Sequence, residues 1–134
     1  MKSMTKTITT WVIGQQFSSK LDNNVIQIDG TRENGFGPKA LLLSGLAGCS
    51  GIDVVDILKK MRVEFSDFSI EVEADQTEEH PRVYKDIHIT YKVHTDAANL
   101  DKVKKAVDLS LEKYCGVSAM LKKNSDVLYK VEII

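Results

Sequence analysis

The sequence carries no surplus of charge of either sign. Eighteen Lys and Arg stand against nineteen Asp and Glu, a formal net charge of −1 over 134 residues. Without a long-range field of one sign, neither nucleic acid nor an anionic membrane is expected as a partner. Proline is limited to two residues and glycine to eight, which argues against low complexity and disorder. The longest mostly apolar stretch, Ala40 to Leu58, is broken by Ser44, Ser50, Asp53 and Asp56, and is therefore not expected to span a membrane. The stretch Met1-Lys2-Ser3-Met4-Thr5 leads into Thr-rich sequence without the apolar run of a signal peptide, so the cytoplasm is the expected compartment. Repeats, biased tracts and long linkers are lacking, and residues 1–134 are expected to form a single domain. No Ser-His-Asp or nucleophile-elbow pattern occurs.

Cysteine is scarce, with two residues, Cys49 and Cys115, placed 66 positions apart. That spacing is neither a CxxC redox motif nor a zinc pattern. A permanent structural disulfide does not suit a reducing compartment, whereas one formed and reduced in a cycle does.

What is present is ordinary for a folded protein, with 43% hydrophobic and 28% charged residues. Thr5 to Val12 alternate in side-chain character and are rich in β-branched residues, which predicts a strand interrupted at Gly14. A second strand is predicted at Val25 to Asp29, after the turn Asp22-Asn23-Asn24. A polar loop, Gly30 to Gly37, leads to Pro38, which suits the first position of a helix. That helix runs to about Arg62, a length of about 36 Å at 1.5 Å per residue, apolar or small all round in its first half. Phe68 to Asp75 and Ile87 to His94 alternate as an antiparallel hairpin, each strand with one wet face. Leu100, Val103, Val107, Leu111 and Tyr114 mark an amphipathic helix over 97–114, Gly116 breaks it, and Val117 to Lys123 forms a short helix. Val127 to Ile134 is a final strand. The order defines an α+β fold.

The segment Gly45-Leu46-Ala47-Gly48-Cys49-Ser50-Gly51 places three glycines inside a helix, each unfavourable by up to about 1 kcal/mol relative to alanine. Such a concentration calls for a geometric reason, and close approach of another backbone supplies one. Gly45, Gly48, Cys49 and Ile52 fall on one side of the helix, which puts Cys49 in that contact. Tight packing around an inert buried thiol explains the same pattern as well as a reactive one does. Cys115, between two helices and followed by Gly116, is at a helix N-terminus, where the dipole lowers a thiol pKa. Simple packing at a helix corner is the alternative.

Weaker signals have plainer explanations. Gly35-Phe36-Gly37-Pro38-Lys39-Ala40 fits the spelling of a dinucleotide loop, but Pro38 removes a phosphate-binding N–H and no βαβ unit follows. His88 and His94 share a strand face and His80 lies in a loop, which reads as solvated histidine rather than a metal site. Lys102, Lys104, Lys105, Lys122 and Lys123 read as solvated helix faces.

The two cysteine segments together resemble the OsmC-like family, also called the OsmC/Ohr family of organic hydroperoxide resistance proteins. The resemblance rests on Gly37-Pro38 followed by Leu41-Leu42-Leu43, on Leu46-Ala47-Gly48-Cys49-Ser50 with Ile52-Asp53-Val54-Val55, and on Val107-Asp108-Leu109-Ser110 with Glu112-Lys113-Tyr114-Cys115. It implies an α+β fold of antiparallel sheets around a long central helix, and an intertwined homodimer whose central helices pack together. It implies a thiol-dependent peroxidase in which Cys49 attacks an organic hydroperoxide and becomes a sulfenic acid. Cys115 then condenses with it to a disulfide, and an external dithiol reductant restores both thiols. No cofactor or metal enters this cycle.

The sequence departs from the best-understood members beside Pro38, where they have a Glu and this chain has Lys39 and Ala40. Of the basic residues between Gly14 and Pro38, Lys20 and Arg32, neither clearly matches the Arg that those members carry. Two other functions are therefore weighed beside the peroxidase: a non-catalytic homodimer that binds a small apolar ligand at the subunit interface, and, far behind, a nucleotide-binding module on Gly35 to Ala40.

Overall fold

Short strands joined by two-residue turns come first among the described elements. Three form an antiparallel sheet in the order β1-β2-β3: β1 (Ile8–Ile13), β2 (Gln16–Leu21) and β3 (Asn24–Asp29). Gly14, at φ 55°, and Asp22, at φ 54°, adopt the left-handed conformation that two-residue hairpin turns require. Strand β2 lacks a clean alternation and was not anticipated from the sequence. It is held by pairing on both edges and by a 3.0 Å hydrogen bond between the Thr9 and Ser19 hydroxyls. The computed structural model describes residues 4–134. Met1 to Ser3, part of the stretch read above for a leader, lie outside the described residues.

The chain divides into two compact units, Met1–Leu42 and Leu43–Ile134. In the first, Asp29 ends β3 and organises the loop that follows. Its carboxylate accepts from the Thr31 amide and hydroxyl, each at 2.8 Å, and from the Asn34 amide at 3.1 Å. Gly35 is pressed against β3: a Cβ there would lie 2.6 Å from the Gln27 carbonyl oxygen. The glycine serves this close approach, and the helix after it does not join parallel strands of one sheet, because β3 pairs in one sheet and the next strand in another. Pro38 opens the first turn of α1 (Ala40–Lys60), with Ala40 N–H donating to Gly37 O and Leu41 N–H to Pro38 O. The helix closes at Arg62, whose φ is 60°, while Val63 N–H reaches back to Leu58 O at 3.0 Å.

The second unit packs α1 from Leu43 onward with a second sheet. That sheet comprises β4 (Ser66–Gln76), β5 (Tyr84–His94) and β6 (Asp126–Ile133) in the order β4-β5-β6. The hairpin β4–β5 is antiparallel as expected. The expectation of wholly antiparallel sheets needs one correction, because β6 pairs with β5 in parallel, from Asp86 opposite Asp126 to Val93 opposite Ile133. The physical reason is the connection: a 3-10 turn (Ala97–Asn99), α2 (Leu100–Leu109), a π turn (Ser110–Tyr114) and α3 (Gly116–Leu121) return the chain to the starting end of β5. Ile87, Ile89, Tyr91 and Val93 of β5 form the centre of the core. Leu46, Val54 and Leu58 of α1 and Val103, Ala106 and Val107 of α2 complete it.

The first half of α1 is not buried all round. Its buried stripe is Leu46, Ser50, Val54 and Leu58, at i, i+4 spacing, while Leu42 and Ile52 are 47% and 67% exposed. Within this chain a Cβ on Gly45 or Gly48 would meet nothing within 4 Å; one on Gly51 would touch the Ile70 side chain at 3.0 Å. The backbone contact expected at Gly45 and Gly48 is thus not made inside the single chain. By length and composition alone α1 is long and apolar enough to cross a membrane despite Ser44, Ser50, Asp53 and Asp56, with a mean hydropathy of 1.7 in its most apolar stretch.

Candidate active site

Both cysteines are free thiols in the second unit, and the fold brings them together. Cys49 is half-buried one residue before Ser50, the hydroxyl in the buried stripe of α1. Cys115 is 3% exposed and caps α3, its sulfur accepting from the Ser118 amide at 3.4 Å. Cys49 is near enough to Cys115 to bear on the ionisation of its thiol.

The π turn positions Cys115. An α-helix continued through Ser110 would pair its carbonyl with Tyr114; instead Cys115 N–H donates to Ser110 O at 2.7 Å. One extra residue is accommodated, and the chain at Cys115 turns to extended geometry, φ −77° and ψ 103°. Ser118 secures the corner, its one hydroxyl proton shared between the Leu111 and Cys115 carbonyls, each at 3.1 Å. Lys122 Nζ also donates to Leu111 O, at 2.7 Å.

The helix N-terminus was expected to lower the Cys115 pKa. Burial pushes it up instead, and the neighbouring Cys49 thiol adds to the rise, while the Ser118 amide opposes both. The short α3 does not overcome desolvation.

A polar network missed by the sequence reading lies beside the thiols. Ser50 Oγ is 2.6 Å from the Tyr91 hydroxyl and 2.9 Å from Ser110 Oγ, and Ser110 Oγ donates to Asp53 Oδ2 at 3.0 Å. Ser50, Ser110 and Tyr91 are fully buried. Tyr91 stacks on Phe68 and meets Tyr129 edge-on, and its hydroxyl pKa is pushed up to about 12, chiefly by burial and also by the charges of Cys115 and Asp53. The one sequence signal for this network was a serine in an apolar i, i+4 stripe.

Asp53 opens onto a cavity of about 320 Å³ bordered by Ile57, Leu109 and Tyr114. A larger, mainly apolar groove of about 510 Å³ runs along the exposed side of α1, between Gly48, Gly51, Ile52 and Val55 and the β4 residues Phe68 and Ile70. Neither cysteine lines it. His88 and His94 lie exposed on β5, and His80 is in the β4–β5 loop. Lys20, Arg32 and Lys39 belong to the first unit.

An α+β chain that brings two distant free thiols near each other, one on a long helix and one at a helix corner, defines a recognisable class of small protein. A family model described as OsmC-like protein matches residues 30–130. The chain is 33% identical over 126 residues to Protein YhfA of Escherichia coli K12, covering 92% of this chain and 94% of that one. A crystal structure of a hypothetical protein from Aquifex aeolicus VF5 is 32% identical, with a TM-score of 0.84 and 99% of each chain covered. The fold is also that of the organic hydroperoxide resistance protein OhrB of Bacillus subtilis, at 22% identity and a TM-score of 0.67, covering 97% of this chain and 98% of that one. The chain belongs to the OsmC-like protein family.

Proposed function

We propose that this protein is a thiol-dependent hydroperoxide reductase of oxidative stress defence, with Cys49 and Cys115 as its catalytic residues. The observation that carries the reading is the proximity of two free thiols 66 residues apart in sequence, near enough for one to bear on the ionisation of the other. Cys49 is the more accessible of the two and takes the role of nucleophile. Its thiolate attacks a peroxide oxygen, the O–O bond breaks, and the alcohol leaves with a proton. The Cys49 sulfenic acid is then attacked by the Cys115 sulfur. A disulfide forms, and the expelled hydroxide leaves as water with the Cys115 proton. An external dithiol reduces the disulfide by exchange. No metal or organic cofactor takes part in any step. The raised pKa of Cys115 suits it to the second role, since it stays protonated while Cys49 reacts.

The working form is a homodimer in the cytoplasm. A second copy covers the exposed glycines of α1 and the exposed apolar residues of the first sheet, Ile8, Trp11 and Ile13 among them. The family model spans the boundary between the two units, which supports reading residues 1–134 as one domain.

The test is intact mass after stoichiometric cumene hydroperoxide under native conditions. The wild type loses two hydrogens, and Cys49→Ser and Cys115→Ser do not. Two free, slowly titrating thiols in the treated wild type overturn the reading. The apolar groove beside α1, which neither cysteine lines, favours a second reading: a non-catalytic dimer that binds a small apolar molecule. It requires a ligand that raises the melting temperature of wild type and Cys49→Ser alike.

A further inference from the structure

Every hydroxyl in the buried network has one proton to give, and that fixes the direction of the chain of hydrogen bonds. Ser110 Oγ donates to Asp53 Oδ2, so its bond to Ser50 Oγ must use a Ser50 proton. Ser50 then has none left for Tyr91, so the Tyr91 hydroxyl donates to Ser50. The order is Tyr91 to Ser50 to Ser110 to Asp53, ending on a carboxylate at the wall of a cavity. No buried polar side-chain atom is left unpaired among the described residues.

The two central members are the immediate neighbours of the cysteines in different senses. Ser50 follows Cys49 on α1, and Ser110 supplies the carbonyl that holds the Cys115 amide at 2.7 Å. Between the two sulfurs there is therefore a second connection: Cys49 to Ser50 through the peptide, Ser50 to Ser110 through 2.9 Å between hydroxyls, and Ser110 to Cys115 through the π turn. A disulfide needs its Cα atoms about 4.4–6.8 Å apart, and a turn with one residue too many is free to slip back to α-helical pairing unless something holds it.

We infer that Ser50 and Ser110, oriented by Tyr91 and Asp53, are positioning residues that hold the Cys49 and Cys115 segments at disulfide-forming distance. The inference deepens the two-cysteine reading and rests on it. Ser50 and Ser110 touch neither peroxide nor reductant in this role. They act by keeping the effective concentration of one sulfur at the other high, and so govern closure of the disulfide rather than the first attack on peroxide.

The test is a thiol–disulfide equilibrium in mixtures of reduced and oxidised glutathione. There each closure transfers two hydrogens from the protein thiols to the two sulfurs of oxidised glutathione. Wild type, Ser110→Ala, Ser110→Thr and Tyr91→Phe are compared, with near-ultraviolet circular dichroism confirming native packing. Ser110→Ala makes the disulfide at least tenfold easier to reduce, a rise of about 30 mV in potential. Ser110→Thr, which restores the hydroxyl, stays within threefold of wild type. Tyr91→Phe, which keeps the ring but removes the first donor, shifts the equilibrium in the same direction by threefold or more, and serves if Ser110→Ala does not fold. After cumene hydroperoxide, the variants form Cys49 sulfenic acid at the wild-type rate but hold it longer, as seen by dimedone trapping.

Folded variants with the wild-type potential overturn the positioning role, while leaving the peroxidase reading intact. A wild type that closes the disulfide in glutathione yet ignores hydroperoxide overturns the peroxidase reading and leaves the positioning role standing. A wild type that closes no disulfide in any glutathione mixture overturns both.

Discussion

Ser50 Oγ lies 2.6 Å from the Tyr91 hydroxyl and 2.9 Å from Ser110 Oγ, so a single buried serine joins α1, β5 and the π turn. A hydroxyl in this position has no access to water, and removing a partner leaves its neighbour unsatisfied. Tyr91→Phe takes away the phenolic donor while the ring keeps its place against Phe68 and Tyr129. The expected loss of unfolding free energy is about 1–3 kcal/mol, read from urea unfolding with an unchanged m-value.

The same tyrosine gives the protein a stability that fades in alkali. The folded state raises the Tyr91 pKa from 10.0 to about 12, first by burial and then by the negative charges of Cys115 and Asp53, against the lowering effect of Ser50. Below the unfolded value the tyrosine is neutral in both states and the contribution is fully present. Between pH 10 and about 12 the unfolded chain ionises more readily, and stability falls. At 1.36 kcal/mol per unit the fall is about 2–3 kcal/mol. Tyr129, also pushed up to about 12, adds in the same direction. Urea midpoints measured across this range decline for the wild type and decline less steeply for Tyr91→Phe.

The fold was legible where one face of an element is wet. The alternation of β4 and β5 and the spacing of Val103, Val107 and Leu111 translate directly into the buried positions observed. Strand β2 was not legible, because Ser18, Ser19 and Lys20 carry no alternation of their own and the strand exists through its partners on both sides. The parallel pairing of β6 depends on where the helices return the chain, which no local pattern encodes. At the site, the cysteines stood out by their rarity, while Ser50, Ser110 and Tyr91 did not. A buried hydroxyl becomes meaningful only when its partner, up to 60 residues away, is in place.

Gly45 and Gly48 separate a free helix surface from a covered one. Nothing within this chain would meet a Cβ at either position. On a bare surface, Gly45→Ala and Gly48→Ala each stabilise the helix by up to about 1 kcal/mol. If a second copy packs there, Gly48→Ala weakens association despite its better helix propensity, and Gly48→Leu abolishes it while the monomer stays folded. Sedimentation equilibrium distinguishes these outcomes, with a monomeric Gly48→Leu expected beside a dimeric wild type. Unchanged association in Gly48→Leu places the subunit contact elsewhere.

The loop after β3 responds to acid with the opposite sign to Tyr91. The Asp29 carboxyl is held below its ordinary value of 3.8 by hydrogen bonds, the Thr31 amide first, then the Thr31 hydroxyl and the Asn34 amide, against the effect of burial. Only the charged form accepts all of these bonds, so the folded loop prefers the carboxylate. Its contribution is present above the unfolded pKa and is lost as the pH falls through the lower folded value. Two neighbours make the loop depend on it: Arg32 sits at φ 65°, and Gly35 must stay against β3. Asp29→Asn keeps an acceptor oxygen but removes the charge, so the loop should be weakened at neutral pH and lose its response to acid. Amide hydrogen exchange at Thr31 and Asn34 measures both effects. Protection that falls with acid in the wild type and is low and flat in Asp29→Asn is the expected result, and equal protection in the two proteins at neutral pH contradicts it.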